Sequence, residues 1–536
     1  MLFVKIEQFF ARISQNRRLA CVAVGALGLG LRAALLPMLP IPHPAVSDEY
    51  SYLLLADTLA HGRLANPTHP MLIHFETFHV NWHPTYASMY YPGYAGFLAL
   101  GQVVLGHPFW GVWLSCGLMC AAICWALQGW LPSSWALLGG LLAVIRIATF
   151  SYWADSYWGG SVTALGGALV IGSLPRIMRG NPLRNSLFMG TGMAILAGTR
   201  PYEGLFFCIP IIFAVAWQSI RQHSIPSMSF WMKVVLPASA VLLLAGCALG
   251  YYFWRVTGSP FTIPYQLNMR TYGLVFFPWQ IIHPVEFHHA ALKEFYRGGA
   301  VLGFYELART HPFKLQFLKA LVIWLFFFGP ILTLPWVAWI FMRPRGTWRK
   351  AISFEMRFLL IVVAVTYVSL MLTIHIGQPH YAAALTTVFY LITLILMRDL
   401  YNSSDAGPFL ARSVPLVCVM LFVARAGAPL AHATPPPSWT RTWCSQDEEN
   451  LRRARILQEL NKTPGNHLVI VRYKPSHNFI LDEWVFNGAD IDGSKVVWAR
   501  DMGTQNNEDL IRYFAGRHAW LLEPDYNPVR LSPYVE

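Results

Sequence analysis

The sequence predicts an α-helical polytopic membrane protein with a small soluble α/β module at its C-terminus. Three observations lead there. Only 12% of the 536 residues are charged, about half of the ~25% usual in a soluble domain. The shortage falls on 19–428, where long apolar runs alternate with short polar clusters. From about residue 435 the composition becomes that of an ordinary soluble domain. This divides the chain into a membrane body, 1–428, a linker, 429–445, and a soluble domain, 446–536. Pro435-Pro436-Pro437 lies in the linker.

A helix needs about 20 apolar residues to cross the hydrocarbon layer. Crossings are predicted near 19–40, 109–128, 133–150, 161–178, 185–199, 203–220, 231–253, 316–342, 355–375, 381–397 and 408–426. The total is about 11–13 transmembrane helices. The apolar segment 91–105 is too short to cross fully and reads as a short or re-entrant element. The segment 185–220 is too long for one crossing and breaks at Thr199-Arg200-Pro201. It reads as a helical hairpin with Arg200 at its tip.

The first apolar run follows Arg12, Arg17 and Arg18 and has no small-residue cleavage site behind it. It reads as a retained span with the N-terminus in the cytoplasm. Further cytoplasmic markers are Arg176/Arg179/Arg184, Arg221/Lys233 and Arg343/Arg345/Arg349/Lys350. Loops 42–90 and 251–315 and everything after 428 then lie on the outer face. The net charge of +13 belongs to these clusters. No basic, aromatic-rich stretch clear of the spans points to nucleic acid.

Seven of the eight cysteines lie in apolar runs, and Cys116, Cys120 and Cys124 repeat every four residues as small packing residues do. Cys444 stands alone in the soluble part, which therefore has no internal disulfide or metal-ligand spacing. That module reads as a helix over 446–460, a strand over 467–472, a strand over 495–499, a helix over 507–514 and a strand over 518–522. It lacks a glycine-rich phosphate loop.

The first outer loop opens on Ser47-Asp48-Glu49-Tyr50. Acids there cap a helix and favour its dipole. Two acids at the mouth of a membrane cavity equally suit a general base, a metal ligand or both. The second outer loop groups His283, Glu286, His288 and His289 without regular zinc spacing, and it carries Tyr265, Arg270, Tyr272 and Trp279. Arg146 lies inside the apolar run 133–150, where a charge requires a partner that the sequence does not name.

Phe75-Glu76, Asn81-Trp82-His83-Pro84 and Tyr90-Tyr91-Pro92-Gly93-Tyr94 follow the acid pair. In this order they resemble the GT-C superfamily of polyprenyl-phosphate-sugar-dependent glycosyltransferases, and are similar to the protein O-mannosyltransferases and the lipid A aminoarabinose transferase. Tyr152-Trp153-Ala154-Asp155-Ser156 supplies an acid after a later span, as that family does. Ala197-Gly198-Thr199-Arg200-Pro201-Tyr202-Glu203-Gly204 resembles the family's TRPEG turn with one residue inserted. Gln378-Pro379-His380-Tyr381 resembles its PRY turn with His for Arg, a weaker anion partner. The Phe-Glu match is loose, because about 15 residues separate it from Tyr91-Pro92-Gly93.

The resemblance spans about 19–400 and implies a transferase in the bacterial inner membrane. It would move a sugar from a polyprenyl-phosphate-linked donor to an outer-face acceptor (lipid, polysaccharide or protein), with the C-terminal domain in the periplasm. It puts Asp48, Glu49, Glu76 and Asp155 at acidic catalytic positions, with Asp48 as base. Arg200, His380 and Tyr381 fall to the donor phosphate, and His83, Tyr91 and Arg270 to substrate. Asp48 and Glu49 admit a divalent metal, Mg or Mn. A transporter or flippase would show internal repeats, and none is evident. The paired acids favour an enzyme over that class and over a non-catalytic assembly factor for envelope polysaccharide.

Overall fold

A computed structural model describes residues 2–223, 228–299, 301–342, 352–403, 405–433, 442–443, 448–479 and 482–534. The basic cluster at 343–350, the triple proline and Cys444 lie outside the described residues.

Helices α1 (Leu2–Gln15) and α2 (Arg17–Ala34) lead to α3 (Ser47–Ala60), which lies in the first loop. After a two-stranded ribbon, β1 (Val80–Asn81) against β2 (Ala87–Ser88), come α4 (Pro92–Leu105), α5 (Phe109–Leu127) and α6 (Ser133–Arg146). Next are α7 (Ser161–Met178), α8 (Pro182–Thr199), α9 (Pro201–His223) and α10 (Met228–Thr257). The second loop carries α11 (Pro264–Tyr272), α12 (Ala290–Arg297) and α13 (Val301–Thr310). The body closes with α14 (Pro312–Phe327), α15 (Gly329–Met342), α16 (Phe354–Met371), α17 (Pro379–Ser403) and α18 (Gly407–Gly427).

Among the described residues, seven helices are long and apolar enough to cross a membrane, or eight if the bent pair α14–α15 counts as one span. That is fewer than the 11 crossings read from the sequence, for reasons of length and charge. Helix α6 has 14 residues, about 21 Å at 1.5 Å per residue, short of the ~30 Å hydrocarbon layer; α4, expected as a short element, has the same length. Helix α2 holds Arg17, Arg18 and Arg32, and α8 opens on Arg184-Asn185-Ser186. Helices α5, α7 and α17 form the interior, whereas α10 and α18 leave most of their surface free for lipid. Cys116, Cys120 and Cys124 are buried in this core.

The expected single crossing over 316–342 is instead two helices bent by 96°. Gly329 sits at φ +55°, and Pro330, having no N–H, cannot continue the ladder to the Phe326 carbonyl. Arg146 resolves that loss: its Nη2 donates to the Phe326 and Phe328 carbonyls, both at 3.3 Å. The intramembrane arginine therefore caps a broken helix. Lys319 acts similarly. Completely buried, its Nζ donates to the Leu370 and Thr373 carbonyls at 2.6 Å.

At the C-terminus, α19 (Glu448–Lys462) and α20 (Thr504–Tyr513) accompany strands β3 (His467–Val471), β4 (Val496–Arg500), β5 (His518–Glu523) and β6 (Arg530–Pro533). The order is β4-β3-β5-β6; β3 is parallel to both neighbours, and β6, absent from the sequence reading, is antiparallel.

This sheet is not held at a distance. Leu54, Phe75, Trp82 and Tyr86 of the first loop share one apolar core with Leu468, Ile470, Val497 and Phe514. The Ala489 N–H donates to Asp57 of α3 at 2.7 Å, and Tyr50 stacks on Phe486 at 4.1 Å. Phe78 joins Phe295 and Phe486 in a second core, which brings in the other long loop. Both loops and the C-terminal sheet thus cover the same end of the bundle.

Candidate functional site

Asp48 and Glu49 occupy the first turn of α3. Neighbours on a helix point about 100° apart, so the two acids cannot share one direction. Glu49 turns inward and is completely buried. Its Oε2 accepts from the Ala45 and Val46 N–H groups at 2.7 and 3.2 Å, and its Oε1 from the Tyr157 N–H at 2.8 Å. Burial outweighs these bonds and raises its pKa to about 7. Glu49 caps α3 and ties it to the loop before α7.

Asp48 turns outward, with its side chain 28% exposed. Tyr90 donates its hydroxyl to Oδ1, and the other oxygen is 3.9 Å from His79 Nδ1. Because the two carboxyl groups face different ways, they do not fit a shared Mg or Mn. Among the described residues no group of three or more His, Cys, Asp or Glu side chains is placed to hold a metal. The histidines of the second loop make none either. His288 Nδ1 is 2.7 Å from Glu76 Oε2, and His289 is a neighbour of the Glu76 backbone.

Arg200 is presented by the break between α8 and α9. A residue before proline is pushed out of helical conformation, and Arg200 adopts φ −140° and ψ 71°. Its guanidinium lies 4.4 Å from the centre of the Tyr381 ring. Among the described residues it makes no ion pair; Glu203 lies one turn on in α9. Tyr52, Tyr265 and Tyr381 each lie within electrostatic reach of both Arg200 and Asp48. Tyr52 stacks on Tyr90 at 4.4 Å, and His375 lies parallel to Tyr381 at 5.8 Å. A carboxylate and a guanidinium therefore share one basin of aromatic neighbours, Tyr52, Tyr265 and Tyr381.

The other residues picked out by the sequence divide. Asp155 is buried against Arg32, 2.8 Å from its Nη2, and Arg32 also donates to the Leu39 carbonyl at 3.0 Å. Glu76 is buried at the junction of the loops, accepting from the Tyr272 hydroxyl at 2.9 Å. His380 is buried beside Tyr381, its Nδ1 3.0 Å from the Tyr152 hydroxyl. Tyr91 is half-buried at the start of α4, within the field of Glu203. His83 and Arg270 are exposed and make no contact with Asp48 or Arg200 among the described residues.

His79 escaped the sequence reading. It is a non-glycine residue at φ +61°, a conformation that costs energy. Its N–H donates to the Tyr296 hydroxyl at 3.0 Å, and its carbonyl accepts from Ser51 at 2.7 Å. These bonds hold the ring toward Asp48. Burial lowers its pKa, so the imidazole is neutral at pH 7. Left-handed backbone is not legible in Phe78-His79-Val80.

No protein-family model matches the chain, and no curated protein does. Among solved structures it is similar to the oligosaccharyltransferase of Archaeoglobus fulgidus. The apo form gives a TM-score of 0.46 at 10% identity, covering 84% of this chain and 62% of that one. The form with Zn and sulfate gives 0.49 at 12%, covering 94% and 67%. The form with an inhibitory peptide and a dolichol-phosphate gives 0.48 at 10%, covering 95% and 70%. This chain thus spans about two thirds of those chains' length, and at such scores the likeness carries no inference about activity.

Proposed function

We propose that this chain is an integral membrane glycosyltransferase of the GT-C kind, transferring a sugar from a polyprenyl-phosphate carrier to an acceptor at the outer face of the plasma membrane. The observation that carries the reading is the shared basin of Asp48 and Arg200. Both charges stand free of an ion pair with each other, at the end of the bundle covered by the loops.

The chemistry follows from the two groups. The acceptor hydroxyl gives its proton to an Asp48 oxygen as its own oxygen bonds to the anomeric carbon. The bond from that carbon to the phosphate oxygen breaks, and the electron pair leaves with the phosphate. The Arg200 guanidinium, a planar fork suited to phosphate, offsets the charge that develops there. Tyr90 and His79 hold the carboxylate, and the Tyr381 ring supports the guanidinium. Glu49 and Asp155 act through position alone, one capping α3 and the other fixing Arg32.

Sidedness rests on charge. The Gln128 side chain donates to the Arg17 carbonyl at 2.9 Å, and Arg176 Nη2 to the Trp125 carbonyl at 2.6 Å. This gathers Arg17 and Arg176 at the end opposite Asp48, where positive residues mark the cytoplasm. Asp48, Arg200 and the C-terminal sheet are then periplasmic.

The test is transfer in vitro from a defined polyprenyl-phosphate sugar to envelope acceptors. Asp48→Asn is expected to lower transfer by ~10²–10⁴-fold while donor binding persists. Full activity in Asp48→Asn would remove the base from this reading.

A further inference from the structure

Between α16 and α17 the chain makes a short turn, 372–378, that carries His375. We infer that His375 is a second ligand of the donor phosphate, its ring N–H donating to a phosphate that Arg200 also holds; the inference rests on the reading of Arg200 as the phosphate ligand.

The family resemblance gives this task to His380, but His380 is already engaged. Its Nδ1 and its backbone N–H both meet the Tyr152 hydroxyl, at 3.0 and 3.1 Å. His375 is not engaged in this way. Its Nε2 is buried with no hydrogen-bond partner among the described residues, although the residue as a whole is only half-buried. A buried polar atom left without a partner is costly, and an acceptor entering beside it removes that cost.

Tyr381 links His375 to Arg200. The imidazole lies parallel to the Tyr381 ring at 5.8 Å, and the guanidinium lies 4.4 Å from the centre of the same ring. The two groups are therefore within about 10 Å of each other. A phosphate that accepts one hydrogen bond on either side spans about 8 Å between its donors, so one phosphate bridges them. The imidazole also feels the charges of Asp48 and His79, which places it with the groups of the basin. Burial first, and then the charges of Lys319 and Arg200, lower its pKa to about 4. At pH 7 the ring is neutral, so it brings a donor without a charge that Arg200 would repel.

The turn itself is fixed from two sides. Lys319 Nζ holds the Leu370 and Thr373 carbonyls, and the Ile374 N–H donates to the Phe276 carbonyl at 3.0 Å. The Phe276 ring meets the imidazole edge-on at 5.1 Å. The imidazole is thus held in place before any ligand arrives.

The experiment is binding of polyprenyl phosphate to the full chain, which needs no turnover. His375→Phe keeps a ring and removes the donor, and should raise Kd about tenfold, as loss of one charged hydrogen bond does. His375→Gln keeps an N–H at similar reach and should stay within about threefold of wild type. In wild-type protein carrying ¹⁵N-histidine, in bilayers of phosphatidylglycerol, solid-state NMR should show a ³¹P coupling to a ring nitrogen. That coupling should appear only when polyprenyl phosphate is added, and should be absent in His375→Gln.

The reverse order, Phe tolerated and Gln weakened, would make the imidazole a packing ring and overturn the inference. A coupling present before polyprenyl phosphate is added would come from a bilayer phospholipid and overturn it too. Wild-type binding in His375→Phe, with Arg200→Lys weakened, would overturn it and leave Arg200 in place. Wild-type binding in both variants would sink the reading of Arg200 and this inference with it.

Discussion

Arg32 and Asp155 meet at 2.8 Å, both buried, whereas Arg200 and Asp48, the same residue types at the same end of the bundle, form no ion pair with each other. The first pair is closed. Its charges offset each other and Arg32's other bonds go to backbone carbonyls, while Asp155 Oδ2 stays buried with no hydrogen bond among the described residues. The second is open. Arg200 rests on a tyrosine face and Asp48 on a tyrosine hydroxyl, and each keeps capacity for a further partner. Residue type does not separate structure from chemistry here; what each charge already touches does.

The sharpest way to break this comparison is to neutralise both acids separately. Asp48→Asn should leave thermal unfolding unchanged and remove ~10²–10⁴-fold of transfer activity. Asp155→Asn should do the reverse. It strands Arg32 in the interior, which costs ~3–5 kcal/mol in buried pairs, while activity per folded molecule persists. Unfolding and transfer measured on the same preparations decide between them.

Glu49 sharpens the contrast between neighbours. Its folded pKa of about 7 lies above the ordinary value of 4.5, so the folded state holds the proton more tightly than the unfolded chain. Its contribution is fully present below pH 4.5 and is lost as pH rises through about 7, by at most ~3 kcal/mol. Glu49→Gln should flatten the fall in melting temperature between pH 5 and 7. An unchanged slope would assign that titration to another group.

Smaller effects are expected at the arginines. Arg200→Lys retains charge but loses the fork, and should weaken donor-phosphate binding about tenfold, as one charged hydrogen bond does. Arg270→Ala, at an exposed residue outside the basin, should change donor binding by less than about twofold. Isothermal titration with polyprenyl phosphate in detergent reads both.

Local rules made much of the architecture legible. Pro201 announced the break that presents Arg200, and the runs HLVIVR and KVVWA announced β3 and β4. Asp48 stood out by its place after the first apolar run. The split between Asp48 and Glu49 was available in principle, because the 100° helical step separates neighbouring residues. The rest was hidden by distance along the chain. Asp155 meets Arg32 across 123 residues, and the basin draws Tyr52, Tyr265 and Tyr381 from three separate elements. The 96° break in the predicted span over 316–342 needed Arg146, 180 residues away, to satisfy its carbonyl.

The core shared by the first loop and the C-terminal sheet sets an order on biogenesis. Leu54, Phe75 and Trp82 are synthesised roughly 400 residues before the Leu468 and Phe514 that cover them. At about 5–20 residues per second, that apolar face waits on the order of half a minute for its other half. The helix that carries Asp48 therefore reaches its final packing only after the C-terminal sheet has been made. A ribosome that stalls in the later helices would leave that apolar face of the first loop uncovered and prone to aggregate.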